Sequence, residues 1–290
     1  MISALSKQPD KTCDLTITIP KKRVLKAYDK TVEKLAKEVE IKGFRKGKAP
    51  KKIVEKRLDK SRVYEEVLKE LITEVYLEAV KEHQLKPIVN PQIQVTSMEE
   101  GKDWVIKAVT CELPEVNLGK YKEVARKVLA VEKIWVPGKE EPDQEGQDPS
   151  QPQKREKQLA KILEALQKSV KLKIPPLLIE NEVSRMLSRL LDQTSRLGLS
   201  VEQYLASAGK TSDQIREEYQ KTAADQIGME LILSAIADKE GIKVKDEEVE
   251  AMIKAVPDEK ARQSADTPAQ RAYIRQLLRK RAVIDNLLKL

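Results

Sequence analysis

Residues 137–153 read PGKEEPDQEGQDPSQPQ, with four prolines, two glycines and no apolar side chain. A stretch of that composition cannot bury enough surface to fold. Whatever cores this chain builds must therefore lie on either side of it. A length of 290 residues agrees with about two domains.

The N-terminal side mixes two periods. Cys13, Leu15, Ile17 and Ile19 alternate with polar residues, the pattern of a half-buried strand. Pro20 ends it. Val24, Tyr28, Val32, Leu35 and Val39 then recur every three or four residues, which predicts a helix over 21–41. Pro50 opens a short helix to about Leu58. Ser61 is placed to cap a longer one carrying Val63, Val67, Leu71 and Val75. Two strands, near Gln92–Ser97 and Asp103–Cys111, are joined by the turn-like Glu99-Glu100-Gly101-Lys102. Residues 1–112 thus read as an α+β domain of about three strands and three helices.

Residues 113–153 are expected as an extended connector followed by the proline-rich linker. From 154 to 290 the periodicity is helical throughout, which predicts about six helices and an all-α domain. Ser200 with Gln203, and Thr211 with Gln214, have capping-box spacing. Thr267-Pro268 pairs an N-cap with a first-turn proline. Aromatic residues make up only 3% of the chain, so its cores must be aliphatic.

Little here suggests an enzyme. The single histidine, His83, falls at a helix end, and no serine or cysteine sits in a nucleophile elbow. Cys13 and Cys111 are read as buried thiols, and no metal-ligand spacing is present. Catalytic residues, metals and cofactors are all expected to be absent. The N-terminus lacks the pattern of a signal peptide, and no apolar run is long enough to span a bilayer, so the expected location is cytoplasmic.

The charge is more informative. Residues 20–62 carry seventeen Lys or Arg against six Asp or Glu, a net +11 in a chain whose total is +8. Within this region Phe44, the only phenylalanine, lies between Gly43 and Arg45. An aromatic anchor among cations, in a backbone loosened by Gly43 and Gly47, suits docking on a ribonucleoprotein. The loop is not a phosphate loop: three residues separate its glycines, and Ala49 follows Lys48.

The run Gly43-Phe44-Arg45-Lys46-Gly47-Lys48-Ala49-Pro50 resembles the ribosome-docking signature of the bacterial trigger factor family, Gly-Phe-Arg-x-Gly-Lys-x-Pro, at all six fixed positions. The segments IPPLLIENEVSRML and ADKEGIKVKDEEVEAMI are similar to that family's helical domain. The resemblance implies an ATP-independent chaperone that binds ribosomal protein and rRNA at the exit tunnel. Gly43, Phe44, Arg45, Lys46, Gly47, Lys48 and Pro50 would form its docking loop, and its helical domain would shield nascent or unfolded polypeptides during folding and export. No membrane partner is expected, and the sequence leaves open whether the free protein forms a homodimer. The family usually carries an FKBP-type prolyl isomerase domain between its other two parts. The corresponding interval here is too short for one, so isomerase activity is not expected. Two alternatives are a basic RNA-binding protein without chaperone activity and an envelope chaperone sharing the helical module.

Overall fold

The computed structural model describes residues 2–38, 60–133 and 151–290. It divides into two compact units, residues 1–114 with 175–178, and residues 115–174 with 179–290.

The first unit is built on a four-stranded antiparallel sheet. Its strands are β1 (Ile2–Lys7), β2 (Thr12–Ile19), β3 (Gln92–Ser97) and β4 (Trp104–Cys111), in the spatial order β1-β2-β4-β3. In the central pair, Cys13, Leu15, Ile17 and Ile19 stand opposite Thr110, Ala108, Ile106 and Trp104. All eight are buried. Among the described residues two helices pack with the sheet in this unit, α1 (Lys21–Glu38) and α2 (Lys60–Glu82). Helix α2 buries Val63, Val67, Leu71, Val75 and Ala79 at strict four-residue spacing, a single stripe that joins the sheet residues in one core. Val24 and Val32 of α1 enter the same core.

The expected three strands become four. Strand β1 was not anticipated because it is an edge strand with mostly exposed side chains, so alternation barely registers in it. It is joined to β2 by a tight turn in which Lys11 takes a positive φ of 68°. Ser61 lies inside α2 instead of capping it. The expected short helix at 50–58 falls outside the described residues.

The second unit contains α3 (Tyr121–Lys133), α4 (Gln151–Ser169), most of α5 (Pro176–Arg196), α6 (Val201–Ala208), α7 (Ser212–Lys239), α8 (Asp246–Lys254), α9 (Glu259–Ala265) and α10 (Pro268–Leu288). Its core joins Tyr121, Ala125 and Leu129 of α3 to Ile162 and Leu166 of α4, Ile232 and Ile236 of α7, and Val283 and Leu287 of α10. Both predicted capping boxes form. Ser200 Oγ accepts from the Gln203 amide at 3.2 Å while Gln203 Oε1 accepts from the Ser200 amide at 2.8 Å. Thr211 and Gln214 repeat the arrangement at 3.2 and 2.9 Å. Thr267 Oγ1 caps α10 by accepting from the Gln270 amide.

Two readings need correction. Residues 113–136 do not form an extended connector: α3 occupies Tyr121–Lys133 and contributes to the helical core. Pro114 and Gly119 suggest a loop, and indeed Gly119 turns the chain with φ +48° just before the helix. Beyond it, Tyr121, Ala125 and Leu129 follow a four-residue period in which alanine is the weak middle member. Helix α4 also starts at Gln151, inside the expected linker. Pro152 is tolerated there because no helical amide donor is needed in the first turn.

Three arginines one turn apart tie α10 to its surroundings. Arg271 pairs with Asp266, Arg275 with Asp246, and Arg279 with Asp238. Arg279 Nε also donates to the Ile242 carbonyl at 3.0 Å, just before α8.

Because Leu129 is buried against other helices, Leu129→Ala should destabilise the protein by about 2–5 kcal/mol. Urea unfolding followed by circular dichroism measures this. An unchanged midpoint would show that α3 does not hold the core.

Candidate functional site

The predicted docking residues Gly43, Phe44, Arg45, Lys46, Gly47, Lys48 and Pro50 lie outside the described residues. The structure does describe the two helices that the segment 39–59 connects.

Helices α1 and α2 are clamped by charge. Arg23 donates from Nη1 to Glu78 Oε2 at 2.6 Å and from Nη2 to Glu78 Oε1 at 2.7 Å, a bidentate pair, with Glu74 also accepting from Nη2 at 3.3 Å. Lys34 pairs with Glu70. The hydrogen bond from Arg23 holds the Glu78 carboxyl below its ordinary range.

Between the N-terminal half of α1, the start of α2 and the β3–β4 turn lies a cleft of about 700 Å³. Its rings come from three elements. Tyr28 and Tyr64 have centroids 5.3 Å apart, and Tyr64 meets Trp104 at 5.7 Å in an edge arrangement. Trp104 is buried, and its indole N–H donates to the Glu99 carbonyl at 3.3 Å. Burial pushes the Tyr64 phenol up. Lys60 reaches Glu100 at 3.3 Å across the mouth, and the Asp103 carboxylate accepts from the Lys21 amide at 2.7 Å, fixing the start of α1. The first residue described after the 39–59 segment is thus tied directly to the sheet's hairpin.

This ring cluster was not foreseen. Its members stand at positions 28, 64 and 104, in three different elements. The scarcity of aromatic residues was the only available signal, and scarcity does not say which rings meet.

On the opposite flank of α1, Lys22, Arg23, Lys26, Ala27 and Lys30 line a shallower groove of about 540 Å³ with Glu70, Leu71 and Glu74.

The other sequence candidates are structural. Ser3 Oγ donates to Glu82 at 2.7 Å and lies 2.9 Å from His83 Nε2. With its proton on Glu82, Ser3 can only accept from the imidazole, which is the reverse of an activated nucleophile. The contact ties β1 to the end of α2. Cys13 and Cys111 are buried free thiols. Burial pushes Cys111 up to about 11 and raises Cys13, which leaves both unreactive. Among the described residues no three His, Cys, Asp or Glu side chains are grouped to hold a metal, and no helix is long and apolar enough to cross a membrane.

The depressed Glu78 carboxyl sets a pH dependence. Its contribution is fully present above the ordinary value of 4.5 and is lost as pH falls through the lower folded value. Glu78→Gln should therefore lower the thermal midpoint slightly at pH 7, as expected for a half-exposed pair worth under about 1 kcal/mol. The two proteins should converge on acidification toward pH 3. A midpoint difference that persists unchanged in acid would show that charge is not what Glu78 supplies.

A family model described as bacterial trigger factor protein matches residues 1–136, and a second, described as its C-terminus, matches residues 139–289. Only residues 137 and 138 separate the two matches, so no further domain lies between them. Trigger factors of Staphylococcus epidermidis and Staphylococcus aureus are each 40% identical to the chain over 108 residues, which is 37% of this chain and 25% of the relative. The matched stretch thus spans a quarter of the length of these curated relatives. A solved structure described as showing promiscuous substrate recognition in folding and assembly activities of the trigger factor chaperone aligns over 100% of this chain and 99% of its own. The TM-score is 0.67 and the identity 17%, a likeness of fold. With one family model matching residues 1–136 and the other residues 139–289, the chain belongs to the bacterial trigger factor family.

Proposed function

We propose that this protein is a cytoplasmic, ATP-independent chaperone that docks on the ribosome through residues 43–50 and holds nascent or unfolded polypeptides with its helical unit. The observation that carries the reading is the intact signature Gly43-Phe44-Arg45-Lys46-Gly47-Lys48-Ala49-Pro50 in a chain of this family. Phe44 supplies the apolar anchor. Arg45, Lys46 and Lys48 meet phosphate or carboxylate, and Gly43 and Gly47 let the backbone approach. The Lys34–Glu70 pair near the end of α1 and the Lys60–Glu100 contact at the start of α2 support the role by tying the residues that flank the segment to the first unit.

Client holding is supported by what the second unit leaves exposed. Leu191, Leu197 and Leu199 are exposed at and beyond the end of α5, and Met252, Tyr273 and Leu277 on α8 and α10. Shallow aliphatic and methionine contacts accept many sequences because they demand no fixed hydrogen-bond pattern. Prolyl isomerase activity is not part of the proposal, since the interval that houses that module in the family is closed here.

The docking reading is tested by co-sedimentation with purified ribosomes. Phe44→Ala with Arg45→Ala should lower the bound fraction at least tenfold, and undiminished binding would sink it. A chymotrypsin-coupled assay on a proline tetrapeptide should show only the uncatalysed rate; turnover above that rate would overturn the absence of isomerase activity. A second reading, a basic RNA-binding protein without chaperone activity, is favoured by the cationic face of α1. Suppression of the aggregation of a chemically unfolded client by the full chain separates the two, because RNA binding alone gives no such protection. Leu197→Asp with Leu199→Asp should weaken that suppression while leaving ribosome binding unchanged.

A further inference from the structure

The groove on the outer flank of α1 has no structural use for most of its charge. Lys22, Lys26 and Lys30 are spaced four residues apart, about 6 Å along the helix at each step, so their stems rise from one side. All three are exposed. Among the described residues none of the three has an ion pair or hydrogen bond. This is not for want of acids, because Glu70 and Glu74 line the same groove. Those carboxylates are already engaged by Lys34 and Arg23. The clamp that holds α1 to α2 thus neutralises the groove's acidic side and leaves a row of three ammonium groups facing solvent.

Like charges one turn apart on a helix repel and weaken it slightly. The row therefore costs stability where neutral Gln would not. Its spacing, repeated over two turns, suits a ligand whose negative charges also recur along a line. The groove's only other apolar atoms come from Ala27 and Leu71, too few to anchor a protein side chain as the aromatic cleft could.

We infer that Lys22, Lys26 and Lys30 form a second contact surface of this protein, which binds the phosphodiester backbone of structured RNA. It rests on the ribosome reading for its natural partner and deepens it: residues 43–50 supply an anchor, and the α1 row supplies sequence-independent contacts to phosphate alongside it. Lysine suits this task, since it acts as a mobile point charge and needs no planar partner. Each neutralised phosphate releases condensed counterion, so the row has a specific signature in the salt dependence of binding.

The test uses the full chain and a naked 20-base-pair RNA hairpin, with fluorescence anisotropy recorded from 50 to 300 mM KCl. For Lys22→Gln/Lys26→Gln/Lys30→Gln, the slope of log affinity against log salt should be shallower by about 2–3, close to one per lysine removed. The corresponding Lys→Arg triple should keep the wild-type slope. Removing three exposed lysines elsewhere, Lys157, Lys221 and Lys243, should change it by less than one, which separates a local contact from net charge. Thermal melts of each variant report folding; since the three side chains have no partner among the described residues, their midpoints should match wild type. An unchanged slope in the α1 triple would overturn the proposal. So would an unchanged slope with lost binding to a polyglutamate peptide, because the row would then serve an acidic protein. Ribosome co-sedimentation of the Phe44/Arg45 variant is independent of this measurement, so failure of the docking reading and failure of the RNA surface are told apart.

Discussion

The eight-residue pairing of β2 with β4 is the constraint on which the first unit depends. Side chains alternate along a strand, so a one-residue slip would carry Leu15, Ile17 and Ile19 from the core face to the other face of the sheet. With this register set, Trp104 stands beside Ile19 at the edge of the core, where Tyr64 and then Tyr28 can stack on it. The same pairing places the β3–β4 turn so that Glu100 meets Lys60 and Asp103 accepts the first amide of α1. Sheet register thus determines where α1 begins and where α2 is first held. Those two helices bracket the segment that carries Phe44.

What was legible in the amino-acid sequence is what depends on neighbours a few residues away. The capping boxes at Ser200 and Thr211, the Thr267-Pro268 start and the alternation of β2 are local patterns, and each forms at its predicted place. What was missed depends on distant partners. Strand β1 exists because β2 offers it a hydrogen-bonding edge, and its own side chains stay largely outside the core. Helix α3 was read as a connector because its stripe passes through Ala125, which is fully buried yet adds little apolar signal. Tyr121 illustrates the same limit. Its hydroxyl donates to Glu240, with Lys122 on the other carboxylate oxygen at 3.0 Å and Lys239 5.3 Å from the ring centre. Burial, and then this carboxylate, push the phenol up. No spacing rule links position 121 to position 240. The docking residues were the reverse case, readable as a motif while lying outside the described structure.

The two units use their cations differently, and this bears on function. In α10 the arginines at 271, 275 and 279 are each bound to an aspartate from a different part of the unit, and Lys280 is bound to Glu230. That charge is internally compensated, so a passing polyanion meets little of it. In α1, among the described residues, only Arg23 and Lys34 are engaged by acids of α2, and Lys22, Lys26 and Lys30 are left open. Of the net +11 in residues 20–62, α1 itself supplies +4, from seven Lys or Arg against three Asp or Glu.

A localised field of that kind acts at range, within about a Debye length of 8–10 Å at physiological salt, before any side chain makes contact. It would draw an approaching polyanion toward α1. Within the second unit Arg271, Arg275, Arg279 and Lys280 are each paired with an acid and add little to such a field. There Arg275 and Arg279 are used in holding α8 and α7 to α10, while Lys22, Lys26 and Lys30 of α1 bind no acid among the described residues. The two cores, residues 1–114 with 175–178 and residues 115–174 with 179–290, thus differ in how much of their charge they use internally.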